Sequence, residues 1–179
     1  MTDSIVHKLE NQIQLKDFKL NSLLEITNAI NSNQNVEQLM QLFEFIVHEQ
    51  LGYDKFIIFN KQDQWDCILR RGYKGKIRNF DIQSELTRFR EITMIESSQS
   101  DLLKEFDVIV PVFHKEQALA YFLIKGVEYD GRHYSNELNY MSFIQTLINV
   151  IVVAIENKRM AKVNIHQERY RRELEIASD

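Results

Sequence analysis

Two stretches without a single glycine or proline bracket this chain, from Asp3 to about Asn31 and from Ser135 to Ser178. Neither offers a tight turn, so each reads as one long helix. At 1.5 Å per residue the second would run about 66 Å, longer than a domain of this size is wide. What lies between must supply the compact body. The whole chain of 179 residues holds five glycines and one proline, and its length suits one domain plus extensions. With 44% hydrophobic and 27% charged residues, that domain can bury a real core.

The first stretch fits a seven-residue frame, with Val6, Ile13, Leu20 and Thr27 at one position and Leu9, Lys16, Leu23 and Ile30 at the other. Polar residues surround this line, which makes a narrow apolar seam of the kind that pairs with another helix. Its partner is either the chain's own body or a second subunit. After the polar break NSNQN, Asn35 with Gln38 predicts a capping box, and Gly52 a terminator, for a helix over Val36 to Leu51. Its apolar face comprises Val36, Leu39, Met40, Leu42, Phe43, Phe45, Ile46 and Val47, wide enough to lie against a sheet.

Strands are predicted at Lys55–Phe59, Trp65–Tyr73, Val108–Phe113 and Ala118–Ile124, with a short one at Ile92–Ile95. Pro111 is tolerable only at a sheet edge or bulge. SELTRFREI (Ser84–Ile92) has helical spacing, and Ser100 is placed to cap a turn or two through DLLKEF. The last helix starts with Ser135 and Glu137. Its apolar run LINVIVVAI, broken by Asn149, is too short for a bilayer span, and beyond Asn157 the helix reads as a projecting charged rod with pairs such as Glu168/Arg172 and Arg169/Glu173. The layout is α+β, a central antiparallel sheet of five or six strands with helices on one face and long helices at both ends.

The formal charge of −4 argues against a general nucleic-acid or anionic-membrane binder. A lone cysteine, Cys67, excludes internal disulfides and multi-thiolate zinc sites and points to a reducing, cytoplasmic setting; as a free thiol it is expected to be a small buried hydrophobe. The first 20 residues hold no continuous apolar stretch of signal-peptide type, so secretion by that route is not expected. His7, His48, His114, His133 and His166 are scattered singly, with no spacing for a metal. Arg70, Arg71, Lys74, Lys76 and Arg78, interleaved with Gly72, Tyr73 and Gly75, are either an anion contact or a solvated hairpin end. No acidic cluster suits two-metal chemistry, so no catalytic residue, metal or cofactor is expected.

From about Leu20 to Asn157 the residues resemble a GAF domain. The likeness rests on SLLEITNAINSNQNVEQLMQLFEFIVHEQLGYDKFIIF, on Val110-Pro111-Val112 followed by ALAYFLIKG, and on Tyr134-Ser135 opening a helix that closes with Val153-Ala154-Ile155-Glu156-Asn157. Ala120 replaces a usual glycine and Tyr134 a usual phenylalanine. The NKxnFxnDE signature of cyclic-nucleotide-binding members is missing, because Asn60-Lys61 is followed by Gln62, Asp63 and Gln64. The terminal RRELEIASD resembles the helix leading into PPM-type serine phosphatases of the sporulation-protein-E and sigma-factor-regulator kind.

The resemblance implies three segments: a dimerisation helix (1–32), a sensory domain (33–157) and a linker helix (158–179) leading to an output domain. It further implies a non-catalytic regulatory module for a phosphatase in the same polypeptide. The alternatives are a receptor for a nucleotide or metabolite coupled to a kinase or diguanylate cyclase, and a purely structural dimeriser. A homodimer through the terminal helices would use Val6, Leu9, Ile13, Leu20 and Leu23 with Ile148, Ile151 and Ile155. An unidentified small ligand, if bound between sheet and covering loops as in the family, would meet Tyr73, Phe80, Phe89, Phe113 and His114, with Phe122 in the same aromatic set. Neither nucleic acid nor membrane is an expected partner.

Overall fold

A computed structural model describes residues 1–127 and 134–178. Helix α1 spans Thr2–Asn31 and α2 spans Val36–Phe45. The capping box is present, with Asn35 Oδ1 accepting from Gln38 N–H at 2.8 Å and Gln38 Oε1 accepting from Asn35 N–H at 3.0 Å. Such a cap contributes about 1 kcal/mol. Past Phe45 the helix widens through Ile46–Gln50, where Leu51 N–H reaches the Ile46 carbonyl five residues back. Gly52, at φ +83°, ends it. Leu39, Met40, Phe43, Ile46 and Val47 are buried as the periodicity predicts, whereas Val36 and Phe45 face solvent.

Strands β1 (Lys55–Lys61), β2 (Trp65–Arg71), β3 (Thr93–Met94), β4 (Val108–His114) and β5 (Gln117–Lys125) form one sheet in the order β2-β1-β5-β4-β3. Every neighbouring pair is antiparallel. The sheet therefore has five strands. Pro111 is tolerated because β3 pairs only with Val108 and Ile109, so no strand lies on that side of Pro111. Its carbonyl instead accepts from Gln145 Nε2 at 2.6 Å. The helix predicted over Ser84–Ile92 is shorter and earlier: α3 covers Ile82–Leu86, and Asp81 caps it through Ser84 N–H. The Ser100 hydroxyl oxygen accepts from Leu103 N–H at 3.4 Å, just ahead of the single turn Leu103–Glu105.

Both faces of the sheet are covered, which is why KFIIF reads as an unbroken apolar run rather than an alternating one. Phe56, Ile58, Val110, Phe122 and Ile124 meet α1, α2 and the last helix, α4 (Tyr134–Ser178). Ile57, Phe59, Ile109, Tyr121 and Leu123 meet α3 and the loops around Tyr73, Leu102 and Phe106. By length and composition α4 could pass for a membrane span, but Met141, Ile144, Leu147, Ile148, Ile151 and Val152 lie buried on the sheet. Asn149, the polar break in its apolar run, is exposed. This burial corrects one expectation. Ile148, Ile151 and Ile155 are 1, 0 and 5% exposed within the chain's own core, so they cannot also form a seam with a second copy.

Helix α1 runs alongside α4 in the same direction, with Phe18 edge-on to Phe143 at 5.9 Å and Lys158 Nζ donating to the Gln34 carbonyl at 2.6 Å. Ser22, Ile26 and Ala29 face inward, and Leu23 is half-buried against the same core. At 3.6 residues per turn, Val6, Leu9, Ile13 and Leu20 fall on the opposite side. They are 48, 52, 59 and 57% exposed. The start of α1 and the end of α4 leave the domain at opposite ends.

Gly72 follows β2 at φ +74°, and a Cβ there would run into the Asp54 carbonyl oxygen. Gly72→Ala should therefore lower stability by about 1–3 kcal/mol, since a strained left-handed residue is forced against backbone that cannot move aside. A denaturant midpoint equal to that of the unaltered chain would contradict this.

Candidate functional site

On the loop-covered face the aromatic residues pack chiefly on one another. Tyr73 tilts against Phe106 at 5.7 Å and Phe80 stacks on Phe59 at 5.9 Å. Both are thereby part of the core. Phe89 offers its carbonyl to the Tyr121 hydroxyl at 3.1 Å, and burial pushes that phenol up to about 12. Phe122 belongs to the other face, 5.7 Å from both Phe43 and Phe56. Adjacent strand positions point to opposite sides, so Phe122 cannot share a cavity with Tyr121 and Phe113. That part of the aromatic set is corrected. Only Phe113 and His114 line the cleft described next.

This cleft, of about 830 Å³, opens at the end of the sheet, where the β1–β2 turn, α3, the β4–β5 turn and α4 meet. Lys115 at φ +55° makes the β4–β5 turn tight. Trp65 and Phe113 form aromatic walls, held by Tyr121 at 5.6 and 6.2 Å. Trp65 Nε1 donates to Gln83 Oε1 at 3.0 Å, which ties β2 to α3. Arg90 sits 5.8 Å over the Phe113 ring and donates to Glu116 at 2.9 Å. Lys61 lies 5.9 Å over Trp65.

Across the cleft Arg159 donates to both oxygens of Glu156, at 2.9 and 3.1 Å, and to Asp63 in the β1–β2 turn at 3.2 Å. These bonds hold the Glu156 carboxyl below its ordinary 4.5. The pair is thus fully charged above that value and is lost only as pH falls through the lowered one.

The basic run is taken apart by the fold. Arg70 donates to the carbonyls of Tyr73 and Gly75 at 2.7 and 2.6 Å, and Arg71 pairs with Glu44 at 2.6 Å. Cys67, expected to be buried, is exposed on the outer strand β2. Among the described residues no three His, Cys, Asp or Glu side chains gather as a metal site, and His133 lies outside those residues. Sequence reading missed Lys61, Arg90 and Arg159, which reach one cleft from separate elements. Arg159 and Asp63 stand 96 residues apart in the chain, and no motif spans such a gap.

No family model and no curated protein matches the chain in sequence. In three dimensions it is similar to the GAF domain of a candidate sensor histidine kinase from Pseudomonas syringae pv. tomato, with a TM-score of 0.64 and 13% identity over 88% of this chain and 98% of that one. It is also similar to the phycoerythrobilin-bound GAF domain from a cyanobacterial phytochrome, with a TM-score of 0.52 and 12% identity over 82% of this chain and 99% of that one. At such identities the likeness speaks for architecture alone: the chain has the GAF fold, five antiparallel strands with long helices on one face and a short helix with loops on the other.

Proposed function

We propose that this chain is a dimeric, non-catalytic sensory module that passes a change of state in its sheet domain outward through α4. One observation carries the reading. Helices α1 and α4 lie parallel and leave at opposite ends, and α1 presents Val6, Leu9, Ile13 and Leu20 to solvent on the side away from its own core. Helix α4 adds Met160, Val163, Tyr170 and Leu174, likewise exposed and at three- and four-residue spacing around Gln167. Apolar lines of this form are covered when a second copy brings the same surface to a twofold axis. A shift of register or angle between two such helices is a two-state element that a signal can bias.

The output we assign to the far end of α4 is a PPM-type serine phosphatase in the same polypeptide, on the likeness of RRELEIASD to that linker; the setting is cytoplasmic bacterial signalling. The experiment is sedimentation of the 179-residue chain at micromolar concentration, with a dimer expected. A monomer under those conditions overturns the relay, because a lone rod has no partner against which to move.

A further inference from the structure

We propose that the cleft at the end of the sheet receives a small anion carrying a flat apolar group, and that the anion acts on α4 by competing for Arg159. The first half stands on the cleft alone; the second rests on the relay reading above. A volume of about 830 Å³ falls within the roughly 300–1,000 Å³ of small-molecule sites. Trp65 and Phe113 give it two rigid aromatic walls, each braced by the buried Tyr121. They suit a flat ring.

Charge decides the rest. Three lining cations, Lys61, Arg90 and Arg159, face two lining carboxylates, Glu116 and Glu156. Both carboxylates are already engaged, Glu116 by Arg90 and Glu156 by Arg159. The Lys61 ammonium has no ion-pair partner among the described residues and rests over the Trp65 ring. Arg90 donates from Nη1 to Glu116, and its other N–H groups have no protein acceptor among the described residues. Unmet donors above an aromatic wall favour a carboxylate or phosphate bound to an apolar body, because charge-assisted hydrogen bonds are the stronger kind. A cationic ligand would meet only carboxylates that arginines already hold.

Arg159 links this cleft to the exit of α4. Its guanidinium ties the helix to Asp63 in the β1–β2 turn, and just beyond it every described residue from Ala161 to Ser178 is exposed. An anion that draws Arg159 into the cleft weakens the tie to Asp63 and frees the base of the projecting rod. The ligand shifts α4 only through its preference for the arrangement in which Arg159 is available.

Trp65, the sole tryptophan, reports occupancy directly through its fluorescence. Titration of the 179-residue chain with phenyl phosphate should give a saturable change, about tenfold weaker with inorganic phosphate and absent with benzyl alcohol. Lys61→Gln with Arg90→Gln should weaken the phenyl phosphate response about tenfold at an unchanged thermal midpoint, since both side chains are exposed. An equal response to benzyl alcohol, or no saturable response to phenyl phosphate, overturns the site on the unaltered chain even if the double variant fails to fold. For the coupling, phenyl phosphate should speed amide exchange of α4 beyond Arg159 and leave it unaltered in Arg159→Gln. Unchanged exchange in the saturated unaltered chain overturns the second half. Saturable binding by a chain that sediments as a monomer would sink the relay and leave the site standing.

Discussion

Ile13→Glu combined with Leu20→Glu is expected to turn the proposed dimer into a monomer while leaving the fold intact. Both side chains are more than half exposed in the single chain, and surface substitutions away from caps and partners change stability by only about 0.5 kcal/mol. In a twofold assembly each substitution counts twice. Burying a leucine or isoleucine is worth about 1.5–3 kcal/mol, so four lost side chains remove about 6 kcal/mol or more, on the order of a 10⁴-fold rise in Kd. Leu23 is a poor choice for this test, because it leans on the chain's own core and its replacement would mix dissociation with unfolding. Ile151→Glu is the opposite control, placing a charge in the core and unfolding the domain rather than splitting a dimer. Sedimentation read beside the thermal midpoint separates the two. A double variant that stays dimeric at an unchanged midpoint would show that the outward face of α1 is not the contact.

Much of this architecture is legible in the residues, and the physical reasons differ from element to element. The terminal helices declare themselves because nothing within them can turn. The central strands do so because runs such as KFIIF and VIVPVF are too short for buried helices and lie between turn residues. The same unbroken apolarity hides which face each residue takes. With helices on one side and loops on the other, Tyr121 and Phe122 look alike in sequence, so composition alone groups Phe122 with residues on the far side of the sheet. Around Ser84 a second kind of failure appears. SELTRFREI has helical spacing, yet the helix begins at Ile82 behind the Asp81 cap and stops at Leu86, because what ends it is tertiary packing of Leu86 and Phe89 rather than a breaker in the chain.

The seam of α1 shows a third limit. Heptad spacing gives two apolar edges on one helix, and only the packed domain reveals that Ile26 and Ala29 bind the body while Ile13 and Leu20 look outward. The tail of α4 reads as charged because Met160, Val163, Tyr170 and Leu174 stand singly among polar and charged residues, and only their three- and four-residue spacing around Gln167 brings them to one side.

Phe122→Ala should cost about 3–5 kcal/mol, a third or more of the stability of many domains of this size. The ring is fully buried on β5, the middle strand of the five. It stands edge-on to Phe43 of α2 at 5.7 Å and equally near Phe56 of β1, so its removal leaves a cavity where helix and sheet meet. The neighbouring structure is poorly able to collapse into it, because the strands on either side are fixed by their ladders to β1 and β4 and packed cores relax only in part. Phe45→Ala on α2 provides the contrast. That ring is 49% exposed and its loss should fall within about 0.5 kcal/mol. Urea midpoints of the two variants therefore test whether the buried ring, rather than the exposed one, holds α2 to the sheet. If phenyl phosphate still changes Trp65 emission in folded Phe122→Ala, the cleft does not depend on the Phe122 ring, which is not among its lining residues. A Phe122→Ala midpoint close to that of the unaltered chain would mean that the ring does not hold α2 to the sheet, and the division of the core into two faces would have to be redrawn.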